Sequence, residues 1–262
     1  MPEEDPPMNL QERLSEAVRH YWHTRLSQAK KQGSVSGVKD YAGRADVTGG
    51  KHMDGFASLI CDLVKESGIS SDCVFSDKKK ELPGFFRPTK DWDLIVVANS
   101  NLLAAMGLKS HAGPSYGNNC NNRVEEALGN ATDLWTAFRE QTFAPSIRPW
   151  AGYLMFLEDS KGSSSPIKAR EPQFKIRPEF RDTAYETKKM SVSYAKRYEL
   201  FCRKLVLERL YDSACFITSD REGGLEGKYT EPAQDLRFAD FVASLVGKAT
   251  EYVKAKQLHG GA

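Results

Sequence analysis

Apolar residues follow two different spacings along this chain, and the spacings predict alternating helices and strands. In five segments they recur every three or four positions, which is typical of amphipathic helices. These segments cover about 9–32, 53–67, 123–139, 193–211 and 235–256. Four short runs rich in apolar residues predict buried strands over 93–97, 102–108, 152–157 and 214–218. This order favours an α/β fold in which helices flank a mixed central β-sheet.

Polar stretches separate these segments. The acidic, Pro-rich residues 1–8 are predicted to be a disordered lead, and residues 9–262 to form a single domain. A Gly-rich predicted loop covers 33–50, and Arg44 and Lys51, within it and just after it, are candidates for clamping a phosphate backbone or a base. Residues 111–122 are also predicted to be a loop, which leads into the helix starting near Arg123.

The composition narrows the possible classes of protein. The 262 residues carry a formal net charge of +2, with 40% hydrophobic and 27% charged residues, which is typical of globular proteins. No apolar run approaches the roughly 20 residues of a membrane span, and the N-terminus does not resemble a signal peptide. The 5 cysteines are scattered, which argues against a zinc site or disulfide framework and favours a cytoplasmic protein. The small net charge excludes a wholly basic surface but permits a local basic face.

An acid and a lysine stand at the ends of two neighbouring predicted strands. Asp93 opens one strand and Lys109 closes the next. Residues two apart lie on the same face of a strand, so an Asp on one strand and an acid-x-Lys on its neighbour can hold Mg²⁺ against a scissile phosphate. Here the position of the second acid is Gly107. Alone, these residues also fit a strand-edge cap at Asp93 and a solvated strand end at Lys109.

The segment after this lysine is unusually rich in asparagine. Candidate DNA-binding side chains are Ser110, His111, Asn118, Asn119, Asn121, Asn122 and Arg123. Asn and Arg can bind adenine and guanine in the major groove, and Asn and Ser also bind phosphate. The same pattern fits an Asn-rich turn in which Asn122 caps the next helix. Glu126 lies near the predicted start of a helix, where the helix dipole favours an acidic residue. The alternative is that its carboxylate ligates a metal.

These residues occur within longer blocks that resemble the XhoI family of type II restriction endonucleases. The blocks cover 47–56, 82–97, 109–110, 113–123, 125–129, 149–153 and 197–202. The resemblance extends over most of the chain, from about Tyr21 to Phe241. Its long, ordered blocks are far more specific than an isolated Asp and Lys pair.

The resemblance implies a PD-(D/E)xK nuclease core, dependence on Mg²⁺ and a homodimer that cuts a double-stranded DNA palindrome. Enzymes like XhoI recognise CTCGAG and leave 5′ extensions. A DNA methyltransferase of the same restriction system is implied as a functional partner, in a bacterial cytoplasm. Asp93 matches the first acid of the family and Lys109 its catalytic lysine. The family's Glu is expected at 107, where this chain has glycine.

Two explanations of Gly107 stay open at this point. The preferred one is a mutation of the Glu, which predicts a copy impaired in catalysis because a glycine cannot ligate a metal. The other is that Glu126 or Asp54 supplies the missing carboxylate. A non-catalytic, sequence-specific DNA-binding protein is the alternative to a working enzyme, and a repair or recombination nuclease of the same fold is a third possibility.

Overall fold

The computed structural model of the protein describes residues 9–36, 51–184 and 190–258, and the side chains of the first helix as far as residue 29. Arg44 and the predicted disordered lead 1–8 lie outside the described residues. The helices are α1 Leu10–Ser36, α2 Asp54–Glu66, α3 Tyr116–Arg139, α4 Lys161–Ser164, α5 Tyr194–Leu207, α6 Arg221–Leu225 and α7 Phe238–Leu258. The strands are β1 Val74–Phe75, β2 Glu81–Pro83, β3 Thr89–Asp91, β4 Leu94–Ala98, β5 Asn101–His111, β6 Trp150–Glu158, β7 Ile167–Lys168, β8 Met190–Ser191 and β9 Ser213–Ser219.

A five-stranded sheet forms the centre of the fold. Its strand order is β1-β4-β5-β6-β9. The β1, β4 and β5 strands pair antiparallel, whereas β5, β6 and β9 pair parallel. The prediction of an α/β fold with a mixed central sheet is therefore confirmed, and it is consistent with a PD-(D/E)xK-like core.

Helices cover both faces of this sheet. Side chains of α1, α2 and α7 pack on one face, where the core includes Trp22, Phe56 and Phe156. Side chains of α3 and α5 pack on the other face, around Tyr153 and Tyr198. Because both faces are covered, the central strands are apolar almost throughout instead of alternating with polar residues. Tyr198 of α5 is part of this core, and Tyr194 and Phe201 of the same helix pack against it.

The helix after β5 begins earlier than the sequence predicted. It starts at Tyr116, not near Arg123, so the Asn-rich segment lies in its first turns and not in a loop. Asn122 is therefore not the cap, and Ser115 precedes the helix instead. The reason is packing: Tyr116 and Cys120 are buried one turn apart and start the apolar face that Ala127 continues. The polar residues between them obscured this periodicity.

A short hairpin lies directly before Asp93. In it β2 and β3 pair antiparallel, with Leu82 opposite Lys90. The hairpin leads directly into the start of β4 and so fixes the approach to Asp93. Across the described ranges, none of the helices is long and apolar enough to cross a lipid bilayer.

Candidate active site

Lys109 lies between two carboxylates that come from different elements. Its Nζ is 2.8 Å from Asp93 Oδ2 and 3.0 Å from Glu126 Oε1. Asp93 directly precedes β4, Lys109 lies near the end of β5, and Glu126 is on α3. The predicted pairing of Asp93 with Lys109 is thus present, and Glu126 joins it.

Backbone hydrogen bonds fix the Asp93 carboxylate against the neighbouring strand. The Asp93 backbone N–H donates to the carbonyl of Met106 at 3.2 Å. The backbone N–H of Leu108 donates to Asp93 Oδ2 at 2.9 Å, and Lys109 reaches the same oxygen. Asp93 Oδ2 therefore has two fixed donors, and its side chain stays 32% exposed.

The three charges stabilise one another. Burial opposes the charge on Lys109, but Asp93 and Glu126 outweigh it and raise the pKa of the lysine above its usual value. Burial also opposes ionisation of Glu126, yet Lys109 and Arg123 lower the pKa of this carboxyl. Arg123 Nη1 donates to Glu126 Oε2 at 2.7 Å. The lysine is therefore an ammonium and Glu126 a carboxylate at neutral pH.

Gly107 lies on the same strand face as Lys109, next to this cluster. A Cβ atom at this position would lie 3.4 Å from Tyr153 Cδ2, which is an ordinary van der Waals contact. The backbone of Gly107 is also outside the left-handed region. The fold therefore admits a larger residue at 107, and no steric requirement explains the glycine.

A cleft of about 430 Å³ opens beside Glu126. It lies at the end of β5 between the α1 layer and α3. Its lining consists of Arg25, His52, Ser110, His111, Ala112, Gly113, Pro114, Ser115, Asn119, Asn122, Arg123 and Glu126. In α/β sheets, ligands commonly bind outside the carboxyl ends of parallel strands, and this cleft has that location.

Two buried histidines line the cleft and are neutral. His52 Nε2 and Ser110 Oγ are 3.1 Å apart. His111 Nδ1 is 2.7 Å from the hydroxyl of Tyr198, and its Nε2 is 3.3 Å from the carbonyl oxygen of Ser115. Nε2 must carry the proton to donate to that carbonyl, so Tyr198 donates to Nδ1. Burial above all, helped by the charges of Arg25 and Arg123, lowers the pKa of each histidine to about 4.

Comparison with known proteins decides the family. Residues 31–231 match the family described as Restriction endonuclease XhoI. The chain belongs to this family. It is 54% identical over 213 residues to the type II restriction enzyme BstVI of Geobacillus stearothermophilus, covering 79% of this chain and 91% of that protein. It is 41% identical over 167 residues to the type II restriction enzyme XhoI of Xanthomonas vasicola, covering 63% of this chain and 64% of that enzyme.

A third relative and the solved structures complete the comparison. The type II restriction enzyme AbrI of Azospirillum brasilense is 40% identical over 168 residues, which is 64% of this chain and 75% of that protein. No solved structure matches. As a member of the XhoI family, the chain is a restriction endonuclease and a DNA-binding hydrolase by class.

The candidate DNA-binding residues of the Asn-rich segment fall into two groups. Ser110, His111, Asn119, Asn122 and Arg123 all line the cleft. Asn119, Asn122, Arg123 and Glu126 follow i, i+3, i+4 and i+7 spacing, so one face of α3 presents them together. Asn118 and Asn121 are exposed on α3 outside the cleft lining. Lys51 is exposed and directly precedes His52.

Asp54, the other candidate metal ligand, does not complete the cluster. It is exposed at the first residue of α2. Within the ranges that the structure covers, no group of three or more His, Cys, Asp and Glu side chains is arranged to hold a metal ion. The carboxylates of the candidate active site are therefore Asp93 and Glu126.

Three residues of the site were missing from the sequence prediction. Two of them, His52 and Arg25, line the cleft. Lys90 on β3 is influenced by the active-site charges. The pKa of Lys90 is lowered from its usual value, by burial first and then by the charge of Lys109. The carboxylates of Asp93 and Glu126 oppose this shift. Neither helical spacing nor the family blocks indicated that α1 and the β2–β3 hairpin reach the site.

Proposed function

We propose that this chain is a type II restriction endonuclease that cleaves double-stranded DNA at a palindrome, CTCGAG by resemblance, and leaves 5′-phosphate ends. The supporting observation is Lys109 held between the carboxylates of Asp93 and Glu126. It provides the two acids and the lysine that phosphodiester hydrolysis requires, from residues on adjoining elements. A homodimer and a DNA methyltransferase of the same system belong to this proposal.

The donors of the site fit Mg²⁺. This ion prefers oxygen ligands, uses one or two carboxylates together with substrate phosphate, and keeps several waters. Asp93 and Glu126 are both carboxylates at one ammonium group, and their side chains are 32% and 31% exposed. They are the residues that would hold the ion. When bound, it neutralises charge on the scissile phosphate and makes a water molecule more acidic.

The chain's own residues orient and stabilise the reaction. Lys109 is positioned to hold the attacking water and to offset the negative charge that develops at the phosphate. Arg123 keeps Glu126 ionised and in place. In-line attack of water then forms a new P–O bond as the bond from phosphorus to the 3′ oxygen breaks. The water gives up its proton to solvent, and the leaving 3′ oxygen takes a proton from solvent, which leaves a 5′-phosphate and a 3′-hydroxyl. The fixed contacts of Asp93 limit reorganisation during this step.

We further propose that Glu126 takes the role of the acid missing at 107. Glu126 contacts the catalytic lysine at 3.0 Å, whereas Gly107 has no side chain to offer. This geometry favours a carboxylate from α3 over the initially preferred explanation of an impaired copy. The cleavage assay below separates the two.

The test compares four proteins on DNA containing CTCGAG and on a variant with one changed base, in Mg²⁺. We expect the wild type to cut only CTCGAG. Glu126→Gln should lose about 10²–10⁴ in rate because it removes a group that acts at the reacting atoms. Glu125→Gln is the matched control, one residue away and exposed, and should stay within about twofold of the wild type, as expected of a surface substitution.

Gly107→Glu distinguishes the competing explanations. If Glu126 already supplies the second carboxylate, the added acid should give no gain. An inactive wild type that binds CTCGAG, together with an active Gly107→Glu variant, would instead establish an impaired copy that acts as a sequence-specific DNA-binding protein. Cleavage without regard to sequence would favour a repair nuclease.

A further inference from the structure

The cleft beside Glu126 is lined by two arginines. Arg25 of α1 faces it from one side and Arg123 of α3 from the other. Glu126, the acidic member of the lining, is engaged by Lys109 and Arg123. Both histidines are neutral near pH 7, since the pKa of each is about 4. Two guanidinium groups, which bind phosphate oxygens well, therefore line this space.

The start of α3 is a second feature that suits phosphate. The residues Gly113, Pro114 and Ser115 just before the helix line the cleft. The side chain of Ser115 makes no capping hydrogen bond. The positive end of a 24-residue helix therefore faces this space, and helix N-termini bind phosphate through their backbone N–H groups.

An unpaired buried atom points independently to a ligand. His52 lines the cleft and is 8% exposed. Its Nε2 contacts Ser110, but its Nδ1 is buried with no hydrogen-bond partner. Buried polar atoms nearly always have a partner, so this ring is a candidate contact for a polar group. A bound ligand with oxygen atoms, or a water it orders, would supply it.

We infer that this cleft holds a DNA backbone phosphate next to the scissile one, gripped by Arg25, Arg123 and the start of α3. The inference rests on the proposed function. Ser110 follows Lys109 directly along β5, so a strand whose scissile phosphate lies at Lys109 passes the cleft within a short distance. Arg123 has five N–H donors and can contact a phosphate while it keeps its bond to Glu126. Of the two arginines, Arg123 also contacts Glu126 beside Lys109. A substitution of Arg25 therefore tests this phosphate subsite separately from the cluster around Lys109.

The test couples one protein change to one DNA change. Duplexes containing CTCGAG receive a single uncharged methylphosphonate at each position in turn, and binding is measured with Ca²⁺ in place of Mg²⁺. Arg25→Ala should weaken binding of unmodified DNA by roughly 10- to 100-fold, as for a lost charged hydrogen bond. It should also reduce the slope of log K against log salt by about one.

The decisive result is non-additivity at one phosphate. At that position near the cut, methylphosphonate should weaken wild-type binding by about tenfold or more and Arg25→Ala binding by less than about twofold. Arg25→Lys should retain part of the affinity because it keeps the charge. Arg19→Ala is the matched control on the same helix, where the guanidinium contacts Glu16 and the carbonyl of Glu226; it should leave every position unchanged.

Different failures have different meanings. If the wild type binds and cuts CTCGAG but no methylphosphonate position couples to Arg25, the subsite is wrong while the proposed function stands. If Arg25→Ala instead changes discrimination against one altered base pair, Arg25 contacts a base and the phosphate assignment is overturned. If the wild type shows no preference for CTCGAG, the proposed function itself fails. Arg25→Gln removes the charge with a smaller change of shape and repeats the coupling test, so a folding defect in Arg25→Ala alone does not leave the result open.

Discussion

At the scale of single residues, Lys109 organises the site because it contacts two carboxylates that come from different elements. Asp93 is fixed by the backbone of β5, and Glu126 is fixed by Arg123 one turn before it on α3. If Asp93 were the only carboxylate beside Lys109, the site would lack the second acid that the proposed reaction uses. In the function proposed above, Glu126 therefore takes the role of the acid expected at 107.

His111 predicts a specific dependence of stability on pH. Burial, aided by Arg123 and Arg25, lowers its pKa in the folded protein from 6.5 to about 4. Below pH 6.5 the unfolded chain therefore binds a proton that the folded chain does not. Stability should fall as pH drops from about 6.5 to 4, by on the order of 2–3 kcal/mol for this group, and then level off.

His111→Asn removes this titration while its carbonyl oxygen can still accept from Tyr198. In chemical denaturation series from pH 7 to 4, the variant should lose less stability than the wild type. His23→Asn, on the exposed part of α1, should follow the wild-type curve. Parallel curves for His111→Asn and the wild type would contradict the expected shift.

The sequence predicted Asp93 and Lys109 because each stands at the end of a hydrophobic run that forms a strand. Asp93 and Lys109 lie at neighbouring strand ends, and the hydrophobic runs marked both ends. Glu126 was only an option, because its approach to Lys109 depends on where α3 begins and how it packs. Arg25 and His52 come from segments distant in the chain, and no local pattern encodes their meeting with β5.

At the scale of elements, the hairpin before Asp93 depends on one buried carboxylate of α3. Asp133 Oδ1 accepts from the backbone N–H groups of Phe85 and Phe86 at 2.7 and 2.8 Å. Its Oδ2 accepts from Arg87 Nε at 2.8 Å. At Gly84 a Cβ would lie 2.5 Å from this Oδ2, so the turn requires glycine. Asp133 thus fixes the turn from which the chain runs through β3 to Asp93.

Asp133→Ala should lower the free energy of unfolding by about 3 kcal/mol, because it leaves two backbone donors and a guanidinium without their acceptor. Asp133→Asn keeps one acceptor oxygen and should cost less. Asp62→Ala removes a carboxylate from an exposed pair with Lys65 and should cost below about 0.5 kcal/mol. Denaturant unfolding measures all three, and equal losses for Asp133→Ala and Asp62→Ala would refute this role.

The elements themselves were largely predictable where burial is continuous. The strands containing 93–97, 102–108, 152–157 and 214–218 are all present, each shifted or extended by a few residues. The errors fall where polar residues interrupt an apolar face, as in the first turns of α3, or where strands are only three residues long, as in β2 and β3. Strands this short carry too few alternating positions to show their period.

At the scale of the whole molecule, the net charge of +2 is compatible with a local basic cleft. The cleft lining has two arginines against one glutamate, and that glutamate is paired. The lining of the cleft therefore holds one more arginine than carboxylate. The prediction of a single domain over 9–262 stays a prediction.

The proposed palindromic site predicts how two copies of the chain share the reaction. A two-fold dimer on a two-fold DNA site places one cluster of Asp93, Lys109 and Glu126 at each strand. A dimer with one wild-type and one Lys109→Ala subunit should therefore nick one strand of a plasmid and then cut the other far more slowly, by about 10² or more. Co-expression with two different affinity tags isolates such mixed dimers.

Doubly tagged wild-type dimers are the control and should produce linear DNA without accumulating nicked circles. Cleavage of both strands at the wild-type rate by the mixed dimer would mean that one cluster serves both strands in turn. Light scattering gives an independent check, because the active species should have about twice the 29.3 kDa mass of the chain. A monomeric mass for the DNA-bound enzyme would exclude the two-fold arrangement, since each strand of the palindrome would then lack its own lysine.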